Sequence, residues 1–157
     1  MRHDLVLLGR LALAVLLGFA VGWEREYRRQ VAGNRTFALV SLGAAAFTTI
    51  GVDAFPPTAE KLLAGVVTGV GFIGAGIVFH AADGGARGLT TAAAVWAVSA
   101  VGVLAGAGRF VLATGCAALI VVILEMSYVP GLRALNPRRA GKHPEDGASG
   151  PPKECKK

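Results

Sequence analysis

Seven charged residues and three threonines stand where long apolar segments begin and end. They lie in Glu24-Arg25-Glu26-Tyr27-Arg28-Arg29, in Arg35-Thr36 and in Arg87-Gly88-Leu89-Thr90-Thr91. Arg35 and Arg87 each precede an apolar run, which places them at helix N-termini. Backbone N–H groups and the helix dipole favour anions there, and a guanidinium adds a forked donor. Glu24 and Glu26 can pair with these arginines or offer oxygens to magnesium, which takes a few carboxylates and keeps several waters. The candidate functional surface is therefore Glu24, Arg25, Glu26, Arg35, Thr36, Arg87, Thr90 and Thr91. The same residues equally suit a salt-bridged collar at a membrane boundary.

A second set lies inside apolar sequence, where an ionisable residue is costly and is a functional candidate by default. Arg10 falls within the first apolar run and Asp53 near the end of the second. Antiparallel helices would bring the two to one end, so an intramembrane Arg10–Asp53 pair is expected. It would be structural or would gate a cavity. Glu125, near the end of the last run, can reach the headgroups.

Enzyme chemistry finds no support. Gly69, Gly71 and Gly74 match the G-x-G-x-x-G dinucleotide fingerprint, but that motif needs a preceding strand and an acidic residue about 20 positions on. Here it sits within an apolar run, and the residue at that position is Leu89. His3, His80 and His143 occupy three separate settings, and no nucleophile–base set can be assembled. No cofactor and no nucleic acid is expected.

The elements that must position these residues follow from composition. The chain has 157 residues, 54% apolar and only 17% charged, with 22 glycines and a net charge of +6. Its mean hydropathy is +0.56. A soluble domain is nearer ~25% charged. A membrane-spanning helix needs about 20 mainly apolar residues, and five stretches approach this: about 5–23, 36–55, 62–82, 89–105 and 110–128. The expected fold is all-α, a polytopic bundle of five transmembrane helices in a domain covering 1–128. Pro56-Pro57, Asp83-Gly84-Gly85 and Gly106–Arg109 break the runs.

Alternating the connections between sides puts 12 of the 16 basic residues on one side. Lys and Arg accumulate on the cytoplasmic side, so the N-terminus is expected outside and the C-terminus inside. A cleaved signal peptide carries its charge ahead of the apolar run. Here Arg25, Arg28 and Arg29 follow it, so the first run reads as an uncleaved span. Trp23, Tyr27 and Tyr128 fit an aromatic belt, whereas Trp96, mid-span, is expected inside the bundle. The segment 129–157, polar and rich in Pro, Gly and Lys, is expected to be a disordered cytoplasmic tail. Its seven basic and three acidic residues suit anionic headgroups. Cys116 and Cys155 lie in different environments and are not expected to pair.

The glycine pairs Gly18/Gly22, Gly65/Gly69 and Gly102/Gly106 each share a helix face, which lets membrane helices approach closely. With Gly65, Gly69, Gly71, Gly74 and Gly76 on more than one face, span three is expected to be central and contacted on several sides. Local unwinding that exposes carbonyls, as in transporters, is the alternative.

Three blocks together resemble the MgtC/SapB family. Gly22-Trp23-Glu24-Arg25-Glu26 with Ala32-Gly33-Asn34-Arg35-Thr36-Phe37-Ala38-Leu39-Val40 is similar to its first block. Thr68-Gly69-Val70-Gly71-Phe72-Ile73-Gly74-Ala75-Gly76 is similar to its third span, and Arg87-Gly88-Leu89-Thr90-Thr91-Ala92-Ala93-Ala94-Val95-Trp96 to its fourth. The resemblance runs from about Arg10 to Tyr128. It implies a non-enzymatic bacterial inner-membrane protein. The best-known members are linked to growth at low magnesium, survival inside macrophages and restraint of the proton-translocating ATP synthase. The implied partner is thus another membrane protein, with ATP synthase the family's example. Two features depart from the family: Gly65 stands where a Gln is frequent, and a short polar tail stands where the best-known members add a folded cytoplasmic domain, so the chain is SapB-like in length. A small homo-oligomeric transporter or channel is the alternative function.

Overall fold

The computed structural model describes residues 1–80 and 88–126, so Arg87, Tyr128 and the segment 129–157 lie outside the described residues. Five helices form: α1 (Arg2–Tyr27), α2 (Asn34–Ala54), α3 (Ala59–His80), α4 (Leu89–Gly106) and α5 (Phe110–Met126), with a 3-10 turn at Pro56–Thr58. No strand occurs among the described residues. Helices α1, α2 and α4 are long and apolar enough to cross a membrane, as is α3 taken with its leading turn; α5, at 17 residues, is shorter. Each expected span overlaps one of these helices, the expected ends at 82 and 128 lying outside the described residues. Contacts divide the chain after Leu124, beyond which only Glu125 and Met126, the end of α5, are described.

Two helix ends are closed by the same local device. At α1, Arg29 adopts a left-handed φ of 51°. Its N–H reaches the Glu26 carbonyl at 2.9 Å, while that of Gln30 reaches Arg25 at 3.0 Å. At α4, Gly108 has φ 75°, with Gly108 N to Ala105 O at 3.0 Å and Arg109 N to Leu104 O at 2.8 Å. Both are Schellman closures, which satisfy the last carbonyls of a helix. Gly108 takes the conformation without a Cβ penalty. Arg29 takes it at some cost, which turns Gln30 back towards α1.

The centre of the bundle is α2, held between α1 and α4. Ideal Cβ atoms at Gly18 and Gly22 would lie 2.7 Å from the Phe37 carbonyl oxygen and 2.5 Å from Asn34 Cα. On the other side, Cβ atoms at Gly102 and Gly106 would collide with the backbone at Ser41 and Ala45. Only glycine permits this approach, and it brings α2's hydroxyls to neighbouring carbonyls. Ser41 Oγ donates to Ala14 O on α1 at 2.7 Å, and Thr49 Oγ1 to Gly106 O on α4 at 3.3 Å. Thr48 and Ser99, also buried, donate to carbonyls of their own helices. An unsatisfied polar group in hydrocarbon costs several kcal/mol, and these hydroxyls avoid it. Helix α5 adds Ala113, Ala117, Ile120 and Leu124, one buried stripe, to the common core.

Two expectations fail here. Span three is peripheral: Cβ atoms at Gly65, Gly69, Gly71 and Gly76 would meet nothing within 4 Å, and at Gly74 only Ala92, at 3.7 Å. Glycine tightens packing only on a face that a neighbour covers, and α3 has most of its surface uncovered. Trp96 is 50% exposed rather than interior. The buried stripe of α4 runs through Thr91, Val95, Val98, Gly102 and Ala105, and Trp96 lies beside it.

This packing predicts opposite outcomes for identical substitutions. Gly102→Ala should cost about 1–3 kcal/mol by overpacking. Gly69→Ala should be neutral or stabilise by up to ~1 kcal/mol through helix propensity. Thermal unfolding of the purified protein distinguishes them, and equal effects would contradict the α1–α2–α4 arrangement.

Candidate functional site

Gly18, Val21, Gly22 and Arg25 occupy one buried face of α1. The first three pack, and the next position along that face is a cation. Arg25 is therefore carried inward rather than out to solvent and is only 3% exposed. Its Nη2 donates to Thr91 Oγ1 in the first turn of α4 at 3.0 Å and to Gln30 Oε1 at 3.1 Å. Nη1 lies 3.9 Å from Glu24 Oε2. Glu24 in turn receives Arg28 Nε at 2.7 Å, four residues along the helix. The group thus joins the end of α1 to the start of α4 through a buried charge.

Glu26 points elsewhere. Its Oε2 accepts the Asn34 N–H at 3.0 Å, satisfying a donor at the start of α2. A carboxylate also suits the positive end of the helix dipole. A Cβ at Gly33 would lie 2.7 Å from that oxygen, so glycine at 33 makes room for the cap.

The expected surface is therefore split. Glu24, Arg25 and Thr91 come together, and Glu26 joins α2. Arg35 and Thr90 are exposed and Thr36 is half-buried, with no hydrogen bond or ion pair to the group among the described residues. Arg87 lies outside them. Glu24 and Glu26 are engaged by different donors rather than converging, and no group of three His, Cys, Asp or Glu residues among the described ones could hold a metal. Gln30 is a member that sequence reasoning missed, because only the left-handed turn at Arg29 brings it back to Arg25. The Glu24–Arg28 contact was signalled by its four-residue spacing.

At the opposite end the expected Arg10–Asp53 pair is replaced by two separate ones. Arg10 Nη1 donates to Gly106 O at 3.2 Å, and its guanidinium lies against Gly108. Asp53 Oδ1 is 2.8 Å from His3 Nε2. The reason is register: His3, nearly two turns before Arg10, is level with the end of α2, whereas Arg10 is level with the α4–α5 turn. There it caps the negative end of α4, where a cation is favoured.

A bundle of long apolar helices, tied at one end by a buried ionic group, defines an all-helical membrane protein. The chain belongs to the MgtC family, whose model matches residues 11–129. It is 41% identical to Protein MgtC of Salmonella typhimurium over 113 residues, which cover 72% of this chain and 48% of that protein. It is 46% identical to Protein MgtC of Brucella abortus over 102 residues, 62% of this chain and 41% of that one. An uncharacterized protein of Haemophilus influenzae is 32% identical over 133 residues, 78% and 56% of the two chains. The chain thus spans about half the length of the curated relatives it matches. No solved structure matches it.

The Arg25–Thr91 contact carries a quantitative expectation. A hydrogen bond to a charged group contributes about 1.5–3 kcal/mol, so Thr91→Val should destabilise by roughly that amount. In the Arg25→Lys background the same change should cost much less. A double-mutant cycle read by thermal unfolding should give coupling above about 1 kcal/mol. Strict additivity would show that the two side chains do not meet.

Proposed function

We propose that the protein is a non-enzymatic regulator of the bacterial inner membrane, acting in adaptation to low magnesium or related stress by contacting another membrane protein. The family is not a known family of enzymes. The observation that carries the reading is the Tyr27 end of the bundle. There the buried Arg25 group ties α1 to α4 while Tyr27, Val31 and Arg35 stand exposed beside it, the first two at 83% and 66%. Aromatic and arginine side chains held on a rigid base are what protein interfaces use. The distribution of basic residues favours a cytoplasmic position for this end, with the N-terminus outside. Arg87 and Thr90 belong to the same proposed surface.

The proposal separates two groups of residues by phenotype. Arg35→Ala and Arg87→Ala should fail to rescue growth of a deletion strain at low magnesium while membrane levels of the protein stay normal. Loss of the protein from membranes in those variants would instead assign the arginines to a structural collar. Ion flux through proteoliposomes of the purified protein would defeat a purely regulatory role in favour of a homo-oligomeric transporter.

A further inference from the structure

Between α2 and α3 lies an open apolar cleft of about 540 Å³, with Gly43 and Phe47 on one wall and Gly65, Gly69 and Ile73 on the other. Among the described residues, Lys61 is the only charged one lining it. Lys61 is exposed and makes no ion pair among the described residues, although Glu60 precedes it in the first turn of α3. Asp53, at the facing end of α2, is occupied by His3. The glycines keep the cleft open: Cβ atoms at Gly43, Gly65 or Gly69 would touch nothing. At the Lys61 end the walls converge, with a Cβ at Gly51 lying 3.0 Å from Leu62 Cδ1.

We propose that this cleft is a binding site for one acyl chain of an anionic phospholipid, whose phosphate is held by Lys61. Three magnitudes select this occupant. From Lys61 to Ile73 the cleft runs about 18 Å along α3 at ~1.5 Å per residue, close to the ~15 Å of one hydrocarbon leaflet. Its volume falls within the roughly 300–1,000 Å³ of small-molecule sites. A helix of a second copy, about 10 Å across, would seat only part of its section in an open cleft of this volume. Pairing α3 with its own copy in parallel would also bring two Lys61 side chains together. A lysine with its stem along an apolar wall and its ammonium at the interface is placed as snorkelling requires, and its charge complements a phosphodiester.

The test is native mass spectrometry of the full chain released from nanodiscs of matched acyl composition. One set contains phosphatidylglycerol and the other phosphatidylcholine. Wild type should retain one phosphatidylglycerol molecule in preference to phosphatidylcholine. Lys61→Ala should reduce that preference about fivefold, the share of a single cation near a lipid surface. Gly69→Leu, which projects into the cleft from a position where a Cβ meets no neighbour, should abolish retention of either lipid while thermal stability holds. Equal retention of the two lipids by wild type, or unchanged retention by Gly69→Leu, would overturn the proposal. So would disulfide cross-linking between copies through Gly69→Cys, which would show the cleft covered by a second molecule.

Discussion

The backbone of α2 is gripped from two sides at distances only glycine allows, and the remaining contacts follow from that approach. In lipid there is no hydrophobic drive to bring helices together, so packing and interhelical hydrogen bonds must do it. Gly18 and Gly22 admit α2 on the α1 side, and Gly102 and Gly106 on the α4 side. The approach puts Ser41 within reach of Ala14 O and Thr49 within reach of Gly106 O. It also fixes how far α1 and α4 stand apart at the Tyr27 end. Arg25, one turn beyond Gly22 on the same face, then has Thr91 within hydrogen-bond reach.

The two ends of α4 treat an arginine differently. Arg10 meets the C-terminal carbonyls, where helix dipole and cation attract. Arg25 meets the N-terminal turn, where the dipole opposes it, and it is almost entirely buried. Glu24, Thr91 and Gln30 offset that load. Removing one partner of a buried charge group costs about 3–5 kcal/mol because the other remains uncompensated. A structural pin is sufficient to explain Arg10. At the Tyr27 end, a charge held against an unfavourable dipole beside exposed Tyr27 and Arg35 is better suited to presenting a surface. The proposed lipid cleft is separate from this, between α2 and α3, where Gly43, Gly65 and Gly69 face open space.

The helices and the importance of Gly18/Gly22 and Gly102/Gly106 were legible in the sequence, because apolar length and four-residue spacing are local properties. The same spacing misled at Gly65/Gly69. Spacing shows which residues share a face, and only the fold shows whether a neighbour covers it. Arg25 was legible as a charge leaving the first span. Its burial was encoded in the series 18, 22, 25 along one face, but its partner Thr91 is 66 residues away and had no local signal. The Arg10–Asp53 expectation failed for the same reason. Orientation alone placed both at one end, while axial register gave Asp53 to His3 and Arg10 to Gly106.

The central claim is that the grip on α2 clamps a buried Arg25 onto the first turn of α4. Nuclear magnetic resonance of the arginine side chains in lipid nanodiscs tests it most directly. The account predicts an Arg25 guanidinium whose protons exchange slowly with water and show a through-space contact to the Thr91 side chain. Fast exchange with no such contact would mean that Arg25 lies in solvent, and that α1 and α4 are not joined at that end.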